Sequence, residues 1–128
     1  MFEDSTAFSG FAVDDLDQAE AFYADVLGIR TSREHGLLTL HLEGGRRPTL
    51  VYPKPDFVPA TYTILNFPVA DIDAAADELV ARGVVFERYE GLHQDEQGIS
   101  RGRAAGLGPD IVWFTDPAGN VLSVLQEA

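Results

Sequence analysis

One nine-residue pattern occurs twice in the chain, and this repeat constrains the fold more than any other feature of the sequence. Residues 11–19 (FAVDDLDQA) align with residues 67–75 (FPVADIDAA) at a constant offset of 56, with five of the nine positions identical. Gly28 then aligns with Gly83 once a single residue is lost. Two units of this length nearly fill the 128 residues. The sequence therefore predicts one duplicated domain over 1–128, with module one at about 5–56 and module two at about 60–127.

Each module begins with the same predicted strand and helix. Alternating apolar residues at 7–13 and 61–69 indicate half-buried strands. Asp15 and Asp71 follow where a helix N-cap is expected, and Gln18 completes a capping box in the first copy. Apolar residues then recur on one helical face, at Leu16, Ala19, Phe22, Tyr23 and Val26 and at Ile72, Ala75, Ala76, Leu79 and Val80. Gly28 and Gly83 are expected to end the helices as C′ residues.

Three further strands are expected after each helix, which makes each module a βαβββ unit and the fold α+β. The predicted strands of the first module span 29–34, 37–43 and 48–53. Those of the second span 84–89, 110–115 and 121–126, with the last two joined by a turn at 116–120.

Three motifs carry a resemblance to a known superfamily. They are Val-x-Asp-Leu at 13–16, Phe-Tyr-x-x-Val-Leu-Gly at 22–28 and Asp-Pro-Ala-Gly-Asn at 116–120. Together they resemble the vicinal oxygen chelate superfamily, which includes glyoxalase I, extradiol dioxygenases, fosfomycin-resistance enzymes and bleomycin-resistance proteins. The resemblance covers essentially the whole chain. It implies that the sheets are mixed, that they curl around a cup, and that the protein forms a homodimer, while leaving the activity open because one fold hosts many functions.

Strand alternation predicts which residues line this cup. The repeated Phe11, Val13, Phe67 and Val69 are assigned to the helix-side core, so the other face lines the cup. That face carries Phe8, Gly10 and Ala12 in the first module and Tyr62, Ile64, Asn66 and Pro68 in the second. In the closing hairpin, Thr115 should pair with Val121, Trp113 with Ser123 and Ile111 with Leu125 on the cup face. A slip of one residue would exchange the two faces.

The segment 91–109 contains five glycines and is predicted to pack no core. Its length is typical of a lid, and it is expected to be either a mobile cover over the second-module cup, with Arg101 and Arg103 near the entrance, or a plain flexible connector.

The resemblance also implies four metal-ligand positions in the metal-dependent members, and none is filled by a strong ligand here. Phe8 and Ile64 stand where a His or Gln is expected, and Ser123 stands where a Glu is expected. The fourth position falls within 49–52, which has no acid and no His. His41 and Glu43 would share a strand face and are the one candidate pair of substitute ligands. We therefore expect no metal and no other cofactor.

The composition of the chain excludes several classes of binding partner and of chemistry. The formal net charge is −12, so nucleic acid and anionic membranes are poor partners and a cationic ligand would be attracted. The chain has no cysteine, which excludes disulfides and thiolate chemistry. No apolar run could span a bilayer and the N-terminus does not resemble a secretory signal, so a cytoplasmic location is expected.

Three functions remain open. The first is a metal-free protein that sequesters a bulky aromatic or cationic small molecule, such as an antibiotic. Its predicted ligand-binding residues are mainly aromatic or apolar with a few polar groups: Phe8, Gly10, Tyr52, Tyr62, Ile64, Asn66, Trp113 and Ser123. The second is a lyase, isomerase or dioxygenase that uses His41 and Glu43 or no metal at all. The third is a regulatory or structural module with a vestigial cup.

Overall fold

The two predicted modules are both present in the computed structural model, which describes residues 1–127. They form two compact units, Met1–Val58 and the chain from Pro59 onward, each with its own four-stranded mixed sheet. The predicted α+β class is confirmed. Within residues 1–127, no helix has the length and apolar character needed to cross a membrane.

The first module places its opening strand beside its closing strand. The sheet order is β1-β4-β3-β2, with β1 parallel to β4 and the other neighbours antiparallel. A short 3-10 turn at Glu43–Gly45 separates the last two strands. The elements are β1 (Gly10–Val13), α1 (Leu16–Glu20) with a π-helical continuation (Ala21–Val26), β2 (Thr31–Glu34), β3 (Leu37–Leu42) and β4 (Arg47–Pro53).

The second module repeats this topology. Its sheet order is β5-β8-β7-β6, with β5 parallel to β8 and the other neighbours antiparallel. The elements are β5 (Thr63–Pro68), α2 (Ile72–Ala81), β6 (Ser100–Arg101), α3 (Gly102–Ala105), β7 (Asp110–Thr115) and β8 (Val121–Gln126).

Both main helices start at the predicted aspartates. The side chain of Asp15 accepts a hydrogen bond from Gln18 N at 3.0 Å, and Asp71 accepts one from Ala74 N at 3.1 Å. Each bond satisfies a backbone N–H of the first helical turn that has no partner within the helix. Gly28 and Gly83 have φ values of 70° and 90°, the left-handed conformation that ends a helix at C′.

In the first module the core lies between the helix and one face of the sheet. Tyr23 is fully buried and its ring lies 5.8 Å from that of Phe11, so the predicted helix-side position of Phe11 is confirmed. The sheet contributes side chains from alternate positions, as expected for a face that is covered on one side. The fully buried residues of this module are Val13, Tyr23, Leu38, Leu40 and Val51.

The second core is built in the same way. Ile72 and Ala76 of α2 are fully buried, whereas Val80, predicted on the same helical face, is 54% exposed. The buried face of α2 is therefore narrower than the apolar periodicity predicted. Val80 lies outside this face, in the last turn of the helix. The sheet residues that complete this core are Val112, Phe114, Leu122 and Val124.

The predicted strand at 84–89 is wrong. These residues, all within the described chain, form no regular strand, and β6 (Ser100–Arg101) pairs with Ile111 and Asp110 of β7 instead. The N–H of Glu87 bonds to this edge of the sheet, donating to Trp113 O at 2.8 Å. Local propensity could not identify the partner of β7, because that choice depends on which segment folds back against it.

The expectation that residues 91–109 pack no core is also wrong. Ile99 is fully buried and Ser100–Arg101 joins the sheet. The side chain of Arg101 forms ion pairs with Asp73 of α2 at 2.6 Å and with Asp95 at 3.1 Å. The glycine content therefore reflects tight turns within an ordered segment.

Candidate functional site

Three polar or aromatic residues form one row on the face of the second sheet that is turned away from the buried core. Asn66 of β5 is paired with Ser123 of β8, and Ser123 is paired with Trp113 of β7. Directly paired residues lie on the same face, so all three side chains share it. The predicted hairpin register, with its three pairs and its turn at 116–120, is confirmed.

A hydrogen bond joins two members of this row. The hydroxyl of Ser123 donates to Oδ1 of Asn66 at 2.5 Å. Ser123 is fully buried, whereas Asn66 is exposed. With Oδ1 occupied by this bond, the Nδ2 amino group of Asn66 is the part of the side chain that is left to donate to a bound molecule.

Tyr89 adds an aromatic wall that the sequence analysis missed. Its ring lies 5.6 Å from that of Trp113, with the two planes at 77°. Both rings remain partly accessible, Tyr89 being 38% exposed. Burial, followed by the nearby carboxylate of Glu87, raises the pKa of the Tyr89 phenol. The sequence pattern did not predict the hydrogen bond between Glu87 N and Trp113 O, because it indicated a strand at 84–89 and these residues form none.

Two predicted members of the site, Tyr62 and Ile64, do not belong to this row. Thr63 pairs with Val121 but Leu65 pairs with Leu122, so the register shifts at Ile64. This irregularity breaks the alternation that assigned Tyr62, Ile64 and Asn66 to one face. Tyr62 precedes β5 and is 70% exposed.

In the first module, Gly10 and Tyr52 share the face of the sheet opposite the buried core. Gly10 pairs with Leu50, and Tyr52, two residues further along β4, pairs with Ala12. Tyr52 is 38% exposed. Phe8 lies before β1 and is 64% exposed. An added Cβ on Gly10 would come within 3.0 Å of Leu50 O, so this position favours glycine.

The predicted pairing of His41 with Glu43 on one strand face is wrong. Glu43 lies in the 3-10 turn after β3, has a φ of 51° and forms an ion pair with Arg47. The Nε2 atom of His41 instead forms a 2.7 Å hydrogen bond with the hydroxyl of Ser32 on the neighbouring strand. The cross-strand pairing of β2 and β3 decides this partner, and sequence spacing does not reveal it.

The side chains at the metal positions that the resemblance implies do not suit a divalent ion. Phe8 and Ile64 carry no donor atom, and the hydroxyl of Ser123 is engaged with Asn66. Divalent ions need several carboxylate, imidazole or carbonyl ligands that converge on one point. Over residues 1–127, no group of three or more His, Asp or Glu side chains lies close enough together to provide them.

Comparisons with known proteins agree with this architecture. Residues 6–124 match the profile of the Glyoxalase/Bleomycin resistance protein/Dioxygenase superfamily. No curated protein sequence matches the chain significantly.

Solved structures with the same fold include several functional types. The chain resembles TnmS3, an antibiotic binding protein from Streptomyces sp. CB03234, at 21% identity and a TM-score of 0.66, with 95% of this chain and 96% of that chain covered. The fosfomycin resistance protein FosX from Listeria monocytogenes has 14% identity and a TM-score of 0.66, with coverage of 95% and 92%. Lactoylglutathione lyase from Agrobacterium tumefaciens has 24% identity and a TM-score of 0.62, with coverage of 95% and 93%.

At these identities the likeness to solved structures establishes the fold alone, and the family assignment rests on the profile match over residues 6–124, nearly the full chain. The chain belongs to the Glyoxalase/Bleomycin resistance protein/Dioxygenase superfamily.

Proposed function

We propose that this protein binds and sequesters a bulky, planar aromatic small molecule without a metal ion. The observation that carries this proposal is the row Asn66–Ser123–Trp113, in which a neutral hydrogen-bonded pair lies beside an indole. An aromatic wall with a few placed polar groups is typical of small-molecule sites.

The row also indicates the size and polarity of the ligand. Trp113 and Asn66 lie two strand spacings apart, which is about 9–10 Å. A planar system of two or three fused rings spans that distance. Stacked against Trp113, it would bring its far edge to Asn66, whose amino group favours a hydrogen-bond acceptor such as a carbonyl.

The charge of the protein supports a ligand that is neutral or cationic. With a net charge of −12, the surface attracts cations and accelerates their association at low salt. The resemblance in fold to TnmS3, an antibiotic binding protein, supports an antibiotic or a related natural product as the ligand class.

Trp113 is the only tryptophan, so its fluorescence reports on the site directly. A panel of flavins, bleomycin-type glycopeptides and planar polycyclic antibiotics should contain a compound that quenches it saturably. Stacking contributes about 0.5–1.5 kcal/mol beyond the burial of apolar area, so Trp113→Ala should weaken binding more than tenfold by calorimetry. Trp113→Phe should retain part of the affinity, and Leu107→Ala, at a residue that is 82% exposed, should retain all of it.

Two results together would overturn the proposal. One is that no compound in the panel quenches Trp113, and the other is that Trp113→Ala unfolds the protein. The indole would then be part of the core, and sequestration would lose its main support.

A further inference from the structure

Tyr89 lies beside the proposed site although no regular element holds it there. It belongs to the irregular chain that follows α2, and its ring meets Trp113 edge to face at 5.6 Å. A residue of such a segment needs specific contacts to keep one position. These contacts come from residues 87–101, which we call the edge segment.

Gln94 supplies the contacts nearest to Tyr89. Its Oε1 accepts the backbone N–H of Tyr89 at 2.9 Å. Its Nε2 donates to Glu87 O at 3.0 Å and to Gly98 O at 2.6 Å. One side chain thereby joins the start of the edge segment, at Glu87 and Tyr89, to Gly98.

The Gln94 contacts connect directly to the strand that carries Trp113. The carbonyl of Glu87 accepts from Gln94, while the N–H of the same residue donates to Trp113 O at 2.8 Å. Hydrogen bonds therefore link the side chain of Gln94 both to the backbone of Tyr89 and, through Glu87, to the backbone of Trp113.

Asp95 and Arg101 anchor the far end of the edge segment. Oδ1 of Asp95 accepts the N–H groups of Gln97, Gly98 and Ile99 at 2.9, 3.0 and 2.9 Å. Arg101 bridges Asp95 to Asp73 in the first turn of α2. Gly98 O, which accepts from Gln94, is thus part of an ordered turn that is tied to the helix.

We propose that Tyr89 is a ligand-contacting residue of this site and that Gln94 is its positioning residue. The ligand-contacting part rests on the proposed function. Two rings at 77° form a corner, so a planar ligand stacked on one ring presents its edge to the other. The positioning part concerns the free protein and holds whatever the ligand is.

Acrylamide quenching of Trp113 tests the positioning role without a ligand. Tyr89→Ala should raise the quenching constant about twofold because the ring that shields one side of the indole is lost. Gln94→Met, which keeps the length of the side chain but removes all three hydrogen bonds, should raise it to a similar extent. The double variant should add little to either change.

A neighbouring residue provides the matched control. Gln97 belongs to the same segment, and its Nε2 donates to Asp77 at 3.2 Å on the exposed surface of α2. Gln97→Ala should leave the quenching constant unchanged. Circular dichroism should show that each variant is folded. Unchanged quenching in a folded Gln94→Met protein would overturn the positioning role.

Proflavine, a cationic planar tricycle, is the probe for ligand contact. Tyr89→Ala and Gln94→Met should each weaken its binding about three- to tenfold, while Tyr89→Phe, which keeps the ring, should stay within twofold of the original protein. Unchanged affinity in Tyr89→Ala would overturn the contact role. If the original protein binds neither proflavine nor any compound of the panel, the proposed function and the contact role both fail, and the quenching arm still decides the role of Gln94.

Discussion

Oδ1 of Asn66 accepts a 2.5 Å hydrogen bond from the hydroxyl of Ser123, across the parallel pairing of β5 and β8. One partner is exposed and the other is fully buried. The two ends of the bond therefore differ in what they lose when it is broken. Water can replace the partner of Asn66, whereas the buried hydroxyl of Ser123 has no such replacement.

This asymmetry predicts unequal effects of the two single variants. Asn66→Ala leaves a buried hydroxyl without its partner and should lower the free energy of unfolding by about 1–3 kcal/mol. Ser123→Ala should cost about 0.5–1.5 kcal/mol. The double variant should be closer to Ser123→Ala than to the sum, as measured by urea denaturation. Equal and additive losses would contradict the dependence of Ser123 on Asn66.

We predict that the purified protein holds no tightly bound divalent ion. The resemblance implies that Phe8, Ile64 and Ser123 stand at three of the positions at which metal-dependent members carry ligands. Elemental analysis after dialysis should give well under one equivalent of zinc, nickel, manganese or iron. Near-stoichiometric metal that survives dialysis, and that is lost in a His41→Ala variant, would refute this prediction.

Acid should weaken the edge segment. Burial raises the pKa of Asp95, but the N–H of Ile99 and the guanidinium of Arg101 more than offset this, so the pKa lies below its ordinary value of 3.8. The hydrogen bond from Arg101 likewise lowers the pKa of Asp73. A lowered pKa in the folded state means that the carboxylate stabilises the fold above about pH 3.8 and loses this effect as the pH falls through the folded-state value.

Urea denaturation at several pH values measures this effect. The stability difference between the original protein and Asp95→Asn should be largest near neutral pH and should shrink below pH 3.8, the ordinary value for this carboxyl. A difference for Asp95→Asn that stays constant down to pH 2 would mean that its charge does not matter.

Ile99 should contribute to the core in spite of its glycine-rich surroundings. Because the side chain is fully buried, Ile99→Ala should lower the free energy of unfolding by about 2–5 kcal/mol. Leu107 lies in the same part of the chain but is 82% exposed, so Leu107→Ala should change it by less than about 0.5 kcal/mol. Similar small effects at both positions would favour the flexible cover expected from the sequence.

We predict a two-fold homodimer in solution. Each four-stranded sheet ends in two edge strands, and unpaired edges are commonly covered by symmetric association. Light scattering at micromolar concentration should give twice the chain mass of 13.9 kDa. A mass of one chain under these conditions would exclude the dimer.

Much of the fold follows from local patterns in the sequence. The repeat at 11–19 and 67–75 predicted two equivalent modules, and Asp15 and Asp71 predicted where their helices begin. The turn at 116–120 predicted the register of the last hairpin, including the pairing of Trp113 with Ser123. These features were accessible because caps and tight turns depend on residues that are close in the chain.

The rest was decided by contacts between distant segments. The strand that completes the second sheet is Ser100–Arg101 and not 84–89, because Ile99 is buried beside it and Arg101 is paired with Asp73. The register shift at Ile64 and the contact of Tyr89 with Trp113 also depend on segments that are distant in the sequence. Hydrophobic periodicity states which residues prefer burial, but the partner of an edge strand is chosen by the packing and charge of residues far away in sequence. The sequence alone therefore determined the two modules, the starts of their helices and the pairing of Trp113 with Ser123. The tertiary structure decided which segment forms the edge strand β6 and brought Tyr89 into contact with Trp113.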